Sequence, residues 1–154
     1  MSRSIHDWVN SYGQSHQNSI NKKIHWICVP LIMFTLLGLL SLVKFEIERF
    51  QINLSYILII LAWIFYLRLS IAISIGMFLV SIIQLFIIYY LEINLSVSVL
   101  LYLYSGVFIV SWIGQFIGHK IEGEKPSFFE DLQFLLIGPA WLLSFIYKKS
   151  GIKY

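Results

Sequence analysis

Charge is what this chain has least of. Only 12% of its 154 residues are Asp, Glu, Lys or Arg, while 58% are hydrophobic; a soluble domain carries about 25% charged and about 45–50% apolar residues. With a mean hydropathy of +0.79, too little polar surface exists to coat a globule in water, which excludes the soluble classes and predicts an integral membrane protein. Cysteine is nearly missing: Cys28 is the single one, so no intrachain disulfide framework exists. The low hydrophobicity and high net charge of disordered chains are also missing. No Gly-rich phosphate loop, H-E-x-x-H or G-x-S-x-G pattern occurs, which leaves the chemistries carried by those motifs without a foothold. The net charge of +3 is scattered along the chain, which argues against a nucleic-acid partner and for a role in membrane topology. The first apolar run begins only at Ile24 and has no small-residue cleavage site, unlike a secretory signal.

What is present is a series of long apolar runs. Residues 4–16 read as an amphipathic helix with Ile5, Trp8, Val9 and Tyr12 on one stripe and His6, Asn10, Gly13 and Gln17 opposite, a pattern suited to the membrane interface. Gln17 to Asn21 breaks that pattern and supplies helix-cap residues. Spans follow at about 24–43, 54–67, 69–91 and 95–118, each near the length needed to cross hydrocarbon except the short second one. Lys44 to Gln51 reads as a charged loop, and Arg68 marks a turn, because a charge at mid-membrane costs several kcal/mol. A last helix at about 127–147 opens on Ser127 with Glu130 three residues on, as in a capping box, and Gly138-Pro139 interrupts it. The expected architecture is an all-α polytopic membrane helical bundle, one domain over 1–154, with four to five spans and an N-terminal interfacial helix. Asn53-Leu54-Ser55 and Asn94-Leu95-Ser96 match the glycosylation pattern, and helix capping accounts for both.

The distribution of Lys and Arg orients the bundle. With a cytoplasmic N-terminus and four crossings, Arg3, Lys22, Lys23, Arg68, Lys120 and Lys125 lie inside, against Lys44 and Arg49 outside. A re-entrant or interfacial last helix adds Lys148, Lys149 and Lys153 inside, and a crossing one adds them outside; the positive-inside rule favours the former. A bacterial inner membrane is the expected location, or the endoplasmic reticulum in a eukaryote.

Four crossings separate His25 from His119, so His16, His25 and His119 emerge at the same membrane face. Neutral imidazole is the commonest biological metal ligand, and three can hold iron or zinc. Gln115, His119 and Glu122 share one helical face at i, i+4 and i+7, and Gly123 ends that helix. His119 and Glu122 together offer the two ligand types of carboxylate-bridged iron sites. Each residue alone has a plainer reading: a helix-end imidazole bonded to a carbonyl or headgroup, or Glu122 paired with Lys125. Ionisable residues within spans are nonetheless functional by default. His6, on the polar face, reads as solvent-exposed. Tyr102, Tyr104, Phe108 and Trp112 read as packing or interface aromatics. A carrier would need polar residues at mid-span, and beyond Gln84 and small hydroxyls there are almost none.

The run Tyr12-Gly13-Gln14-Ser15-His16-Gln17-Asn18-Ser19-Ile20-Asn21-Lys22-Lys23-Ile24-His25-Trp26-Ile27-Cys28-Val29-Pro30 resembles the opening motif of the Mpo1-like (DUF962) family. So do Trp112-Ile113-Gly114-Gln115-Phe116-Ile117-Gly118-His119 and the following Glu122, Pro126 and Gly138-Pro139-Ala140. The resemblance implies an Fe(II)-dependent dioxygenase that shortens a 2-hydroxy fatty acid by one carbon, with molecular oxygen as co-substrate and membrane lipid as surroundings. It implies His16, His25 and His119 as iron ligands, Glu122 as a ligand or a group beside the ligands, and Asn21 and Gln115 as orienting residues. Fungal members carry a second histidine where this chain has Gln17. The rival readings are a zinc-dependent membrane lipid hydrolase and a non-catalytic membrane scaffold.

Overall fold

The computed structural model describes residues 3–48, 50–125 and 133–154. Among them are six helices and one hairpin: α1 (Ile5–Gln14), α2 (Ser19–Ser41), β1 (Lys44–Ile47), β2 (Phe50–Asn53), α3 (Leu54–Leu69), α4 (Ile71–Asn94), α5 (Val97–Glu122) and α6 (Phe134–Lys149). The chain is a helical bundle. Three helices, α2, α4 and α5, are long and apolar enough to cross a membrane, and α3 is apolar but only 16 residues long. At 1.5 Å per residue α3 reaches about 24 Å, short of a hydrocarbon core of about 30 Å.

Local chemistry explains where the helices start and stop. Ser4 and Asp7 form a reciprocal capping box at the head of α1. Asn18 caps α2, its side chain accepting from the backbone N–H of Ile20 and Asn21, so α2 starts at Ser19, five residues before the first apolar run. Asn53 caps α3 and Ser96 caps α5. Ser70 both ends α3 and caps α4; Arg68 lies in the last turn of α3, where the negative end of the helix dipole favours a cation. Gly123 ends α5 in the left-handed conformation, φ 84°, which costs glycine nothing. The start expected at Ser127 and Glu130 lies outside the described residues.

One sequence expectation needs correction. Lys44 to Gln51 is not a loop: Lys44 pairs with Asn53, Phe45 with Ile52 and Glu46 with Gln51 in an antiparallel hairpin, turned by Glu48 at φ 54°. Strands of four residues give too little alternation to be read through their charges. The apolar stripe of α1, as expected of one face of an amphipathic helix, is covered, and its cover comes from within the protein. Ile5, Trp8, Val9 and Tyr12 are buried in one cluster with Phe134, Ile137, Ala140 and Trp141 of α6, and Trp8 meets Phe134 edge-on at 5.2 Å.

Among the described residues the most extensive helix–helix contact is between α2 and α5, which run antiparallel. Lipid tails are as apolar as leucine, so helices associate in a membrane through close packing and polar contacts. Small residues on α5 permit this: a Cβ on Gly114 would meet Cys28 Sγ at 2.7 Å, and one on Gly118 would strike Asn21 Oδ1. At the far end the roles reverse, and Gly38 of α2 lies against the Tyr104 ring, 2.7 Å from where its Cβ would be. The glycines thus draw the N-terminal end of α2 and the C-terminal end of α5 together. That juxtaposition positions the site.

Candidate metal centre

His16 lies in the connection between α1 and α2, His25 in the second turn of α2, and His119 in the last turn of α5. All three are buried; His16 and His25 are 0% exposed and His119 5%. One ligand atom from each lies within 4.8 Å of the others. The rings meet edge-on, with centroids 4.3 Å apart for His16 and His25, 4.9 Å for His16 and His119, and 5.1 Å for His25 and His119.

The proton positions of two rings follow from their neighbours. The carbonyl of Tyr12 can only accept, so His16 donates from Nδ1 to it at 2.6 Å. By the same logic His25 donates from Nδ1 to the Asn21 carbonyl at 3.0 Å. Each neutral ring then carries a bare lone pair on Nε2, and these two nitrogens face each other at 2.9 Å. Two acceptors with no donor between them repel; a cation reconciles them. Metal-bound histidines characteristically donate their other N–H to a carbonyl or carboxylate, and nitrogens at right angles around an ion at about 2.0–2.1 Å lie about 2.9 Å apart. Burial pushes the His16 pKa down from its ordinary 6.5 to about 4, which keeps the ring neutral and ready to ligate. The third imidazole, His119, has its Nδ1 buried without a hydrogen-bond partner. The donor set therefore fits a first-row divalent metal.

Through His119 the cluster borders a cavity of about 530 Å³, within the usual 300–1,000 Å³ of small-molecule sites. Tyr12, Gln115 and His119 form its polar end, and apolar side chains of α2, α3, α5 and α6 line the rest. Tyr12 stacks on His16 at 4.1 Å, and burial raises its pKa, so its hydroxyl keeps the proton. That hydroxyl lies 3.0 Å from where a Cβ on Gly138 would be. Gln115 Nε2 is buried with no partner. Among the described residues no charged side chain lines the cavity.

Compared with known proteins, residues 2–150 match the family model described as 2-hydroxy-palmitic acid dioxygenase Mpo1-like. The chain belongs to the Mpo1-like family. No curated protein and no solved structure matches it. In this Mpo1-like protein an apolar cavity lined by His119 of the three-histidine cluster accords with a family described by a fatty-acid substrate.

The structure separates the candidate residues into two groups. His16, His25 and His119 converge, with Gln115 one turn below His119 on the cavity wall. Glu122 is turned elsewhere. Its carboxylate accepts from the backbone N–H of Gln17 at 2.6 Å, from that of Asn18 at 2.9 and 3.0 Å, and from Asn21 Nδ2 at 2.9 Å. This places a carboxylate at the N-terminus of α2, where unpaired N–H groups and the helix dipole favour an anion. Glu122 and Asn21 thereby tie α5 to the connection that carries His16, and the Asn21 backbone orients His25. Gln17, at the position of the second fungal histidine, points away: its Nε2 donates to Gly13 O at 2.5 Å and is exposed. Composition gave no sign of Tyr12 as a wall of the site, although its place four residues before His16 puts it one helical turn away.

Proposed function

We propose that this Mpo1-like chain is a non-haem Fe(II)-dependent dioxygenase of fatty-acid α-oxidation, shortening a 2-hydroxy fatty acid by one carbon. One observation carries the reading: three buried imidazoles converge, two of them held by backbone carbonyls with bare Nε2 atoms 2.9 Å apart, and the third, His119, lines an apolar cavity in a chain of this family. His16, His25 and His119 would hold the metal. Three protein ligands leave positions for a substrate and for oxygen. Bound ferrous iron supplies the redox partner that lets dioxygen react with an organic acid. The stoichiometry needs no outside reductant: a 2-hydroxy acid and O2 balance to the acid one carbon shorter, carbon dioxide and water. The substrate gives up four electrons and dioxygen takes four.

The chain's own residues do the rest. The apolar wall excludes water and holds the acyl chain, while the Gln115 amide and the Tyr12 hydroxyl present donors to the acid end. Asn21 and Glu122 act as positioning residues, the first through His25 and the second through the connection bearing His16. Because no cation among the described residues lines the cavity, the metal is the countercharge for the substrate's carboxylate. The distribution of Lys and Arg supports a cytoplasmic face for this centre, in a bacterial inner membrane.

The deciding experiment measures oxygen uptake with 2-hydroxypalmitate and Fe(II), comparing wild type with His119→Ala, alongside metal analysis of anaerobically purified protein. Iron at one per chain, uptake in wild type and loss of both in His119→Ala are expected. Stoichiometric iron retained in His119→Ala overturns the site. Zinc with hydrolysis of a lipid amide or ester, and no uptake, replaces the reading with the hydrolase.

A further inference from the structure

The cavity has a floor as well as a polar mouth. Leu37 of α2 and Ile59 of α3, 2% and 8% exposed, close against Ile88 of α4 as a separate apolar cluster, and both line the cavity. Ala62, one turn nearer the histidines on α3, lines it too. Leu37 lies twelve residues beyond His25 on α2, about 18 Å along the axis. An extended acyl chain advances roughly 1.3 Å per carbon, given C–C bonds of about 1.5 Å, so about 14 carbons fit between the imidazoles and the floor. The wall between these ends holds few polar groups; Ser81 is one, and it donates to the Met77 carbonyl in its own helix at 2.9 Å. Its hydroxyl proton is thereby held within its own helix.

We infer that Leu37 and Ile59 form a chain-length ruler, the cavity floor setting how long an unbranched acyl tail can be while its acid end reaches the three histidines. The inference rests on the proposed reaction for the identity of the acid end, while the ruler itself depends only on the depth of the cavity. Chains short of the floor gain apolar contact with every added carbon, about fourfold in affinity per buried CH2. Those that exceed it must buckle or withdraw the head from the metal.

Two substitutions move the floor in opposite directions. Ala62→Phe puts a ring three residues, about 4.5 Å, nearer the histidines, and the best chain becomes three to four carbons shorter. Ile59→Ala deepens the floor, and the best chain becomes one to two carbons longer. The measurement is kcat/KM across saturated 2-hydroxy acids of 8 to 18 carbons, paired with the shift each acid produces in the thermal unfolding of detergent-solubilised protein. Opposite displacement of the optimum by the two variants, with metal content unchanged, is the expected result. If Ala62→Phe lowers all lengths equally and Ile59→Ala leaves the profile where it was, the ruler is overturned. Length-dependent protection that shifts in the variants, without turnover in wild type, sustains the ruler and removes the reaction. Turnover and protection both indifferent to length do the reverse.

Discussion

The sharpest test of the α2–α5 packing is to make one substitution twice on the same helix. In Gly118→Ala the added methyl strikes Asn21 Oδ1 and comes within 3.4 Å of its Cγ. Asn21 is 0% exposed and bonded to Glu122, so it has no free direction in which to move. Overpacking a filled interface costs about 1–3 kcal/mol, and losing a hydrogen bond to a carboxylate costs about 1.5–3 kcal/mol. Against these, alanine gains about 1 kcal/mol over glycine in helix propensity. The net is about 3 kcal/mol of destabilisation, or about 6–12 °C in Tm for a chain of this size. At Gly106 a Cβ meets nothing within 4 Å, so Gly106→Ala keeps the propensity gain alone and raises Tm by about 2–4 °C. Thermal unfolding followed by circular dichroism in one detergent reads both. Metal affinity supplies an independent channel. Displacing Asn21 disturbs the carbonyl that orients His25, and losing such an outer partner typically costs 10–100-fold, whereas Gly106→Ala leaves affinity alone. Equal shifts of the same sign at the two glycines would refute the argument that Gly118 exists for close approach.

Three further outcomes follow from the site and its surroundings. Glu122→Ala strands the N–H groups of Gln17 and Asn18 and loosens the connection bearing His16, so metal affinity falls about 10–100-fold; Glu122→Gln, the same shape without the charge, recovers part of it, and equilibrium dialysis measures both. Adding a divalent metal to chelator-stripped protein raises Tm by an amount that grows with the logarithm of metal concentration, and that dependence disappears in His16→Ala; a metal-dependent rise that persists in the variant counts against the centre. Lys44→Met removes the 2.9 Å ion pair with Glu92, but Lys44 is 38% exposed and Ser41 still donates to the other oxygen, so the cost is at most about 1 kcal/mol and shrinks as salt is raised.

Much of the bundle was legible because its signals are long runs of apolar residues, and because caps such as Asn53 and Ser96 mark where helices begin. The meeting of the three histidines was legible from parity, since an even number of helices, α2 to α5, returns the chain to the end of the bundle where it started. What the sequence hid was hidden for physical reasons. Spacing on a helix puts Glu122 beside His119, but spacing says nothing of the positive end of α2 that attracts its carboxylate. Gly114 and Gly118 stand in plain view at i and i+4, a small-residue pattern known from membrane helix pairs, and only their partners Asn21 and Cys28 give it meaning. The cavity is legible nowhere in the sequence, because Leu37, Ile59 and Phe134 come from three helices and none is distinguishable from an ordinary core residue. The hairpin at Lys44–Asn53 was lost for want of length.

The glycine-lined contact between α2 and α5 also has a consequence for how the protein is made. His25 and His119 are 94 positions apart, and at about 5–20 residues per second of synthesis roughly 5–19 seconds pass between them. Throughout that interval α2 resides in the membrane without the partner against which Asn21 and Gly38 pack, with α3 and α4 inserting beside it. The centre is therefore assembled late, by the penultimate helix, and a nascent chain stalled before residue 119 holds one wall of the site and none of its closure. Quality-control proteases and insertion chaperones would meet that half-built helix first.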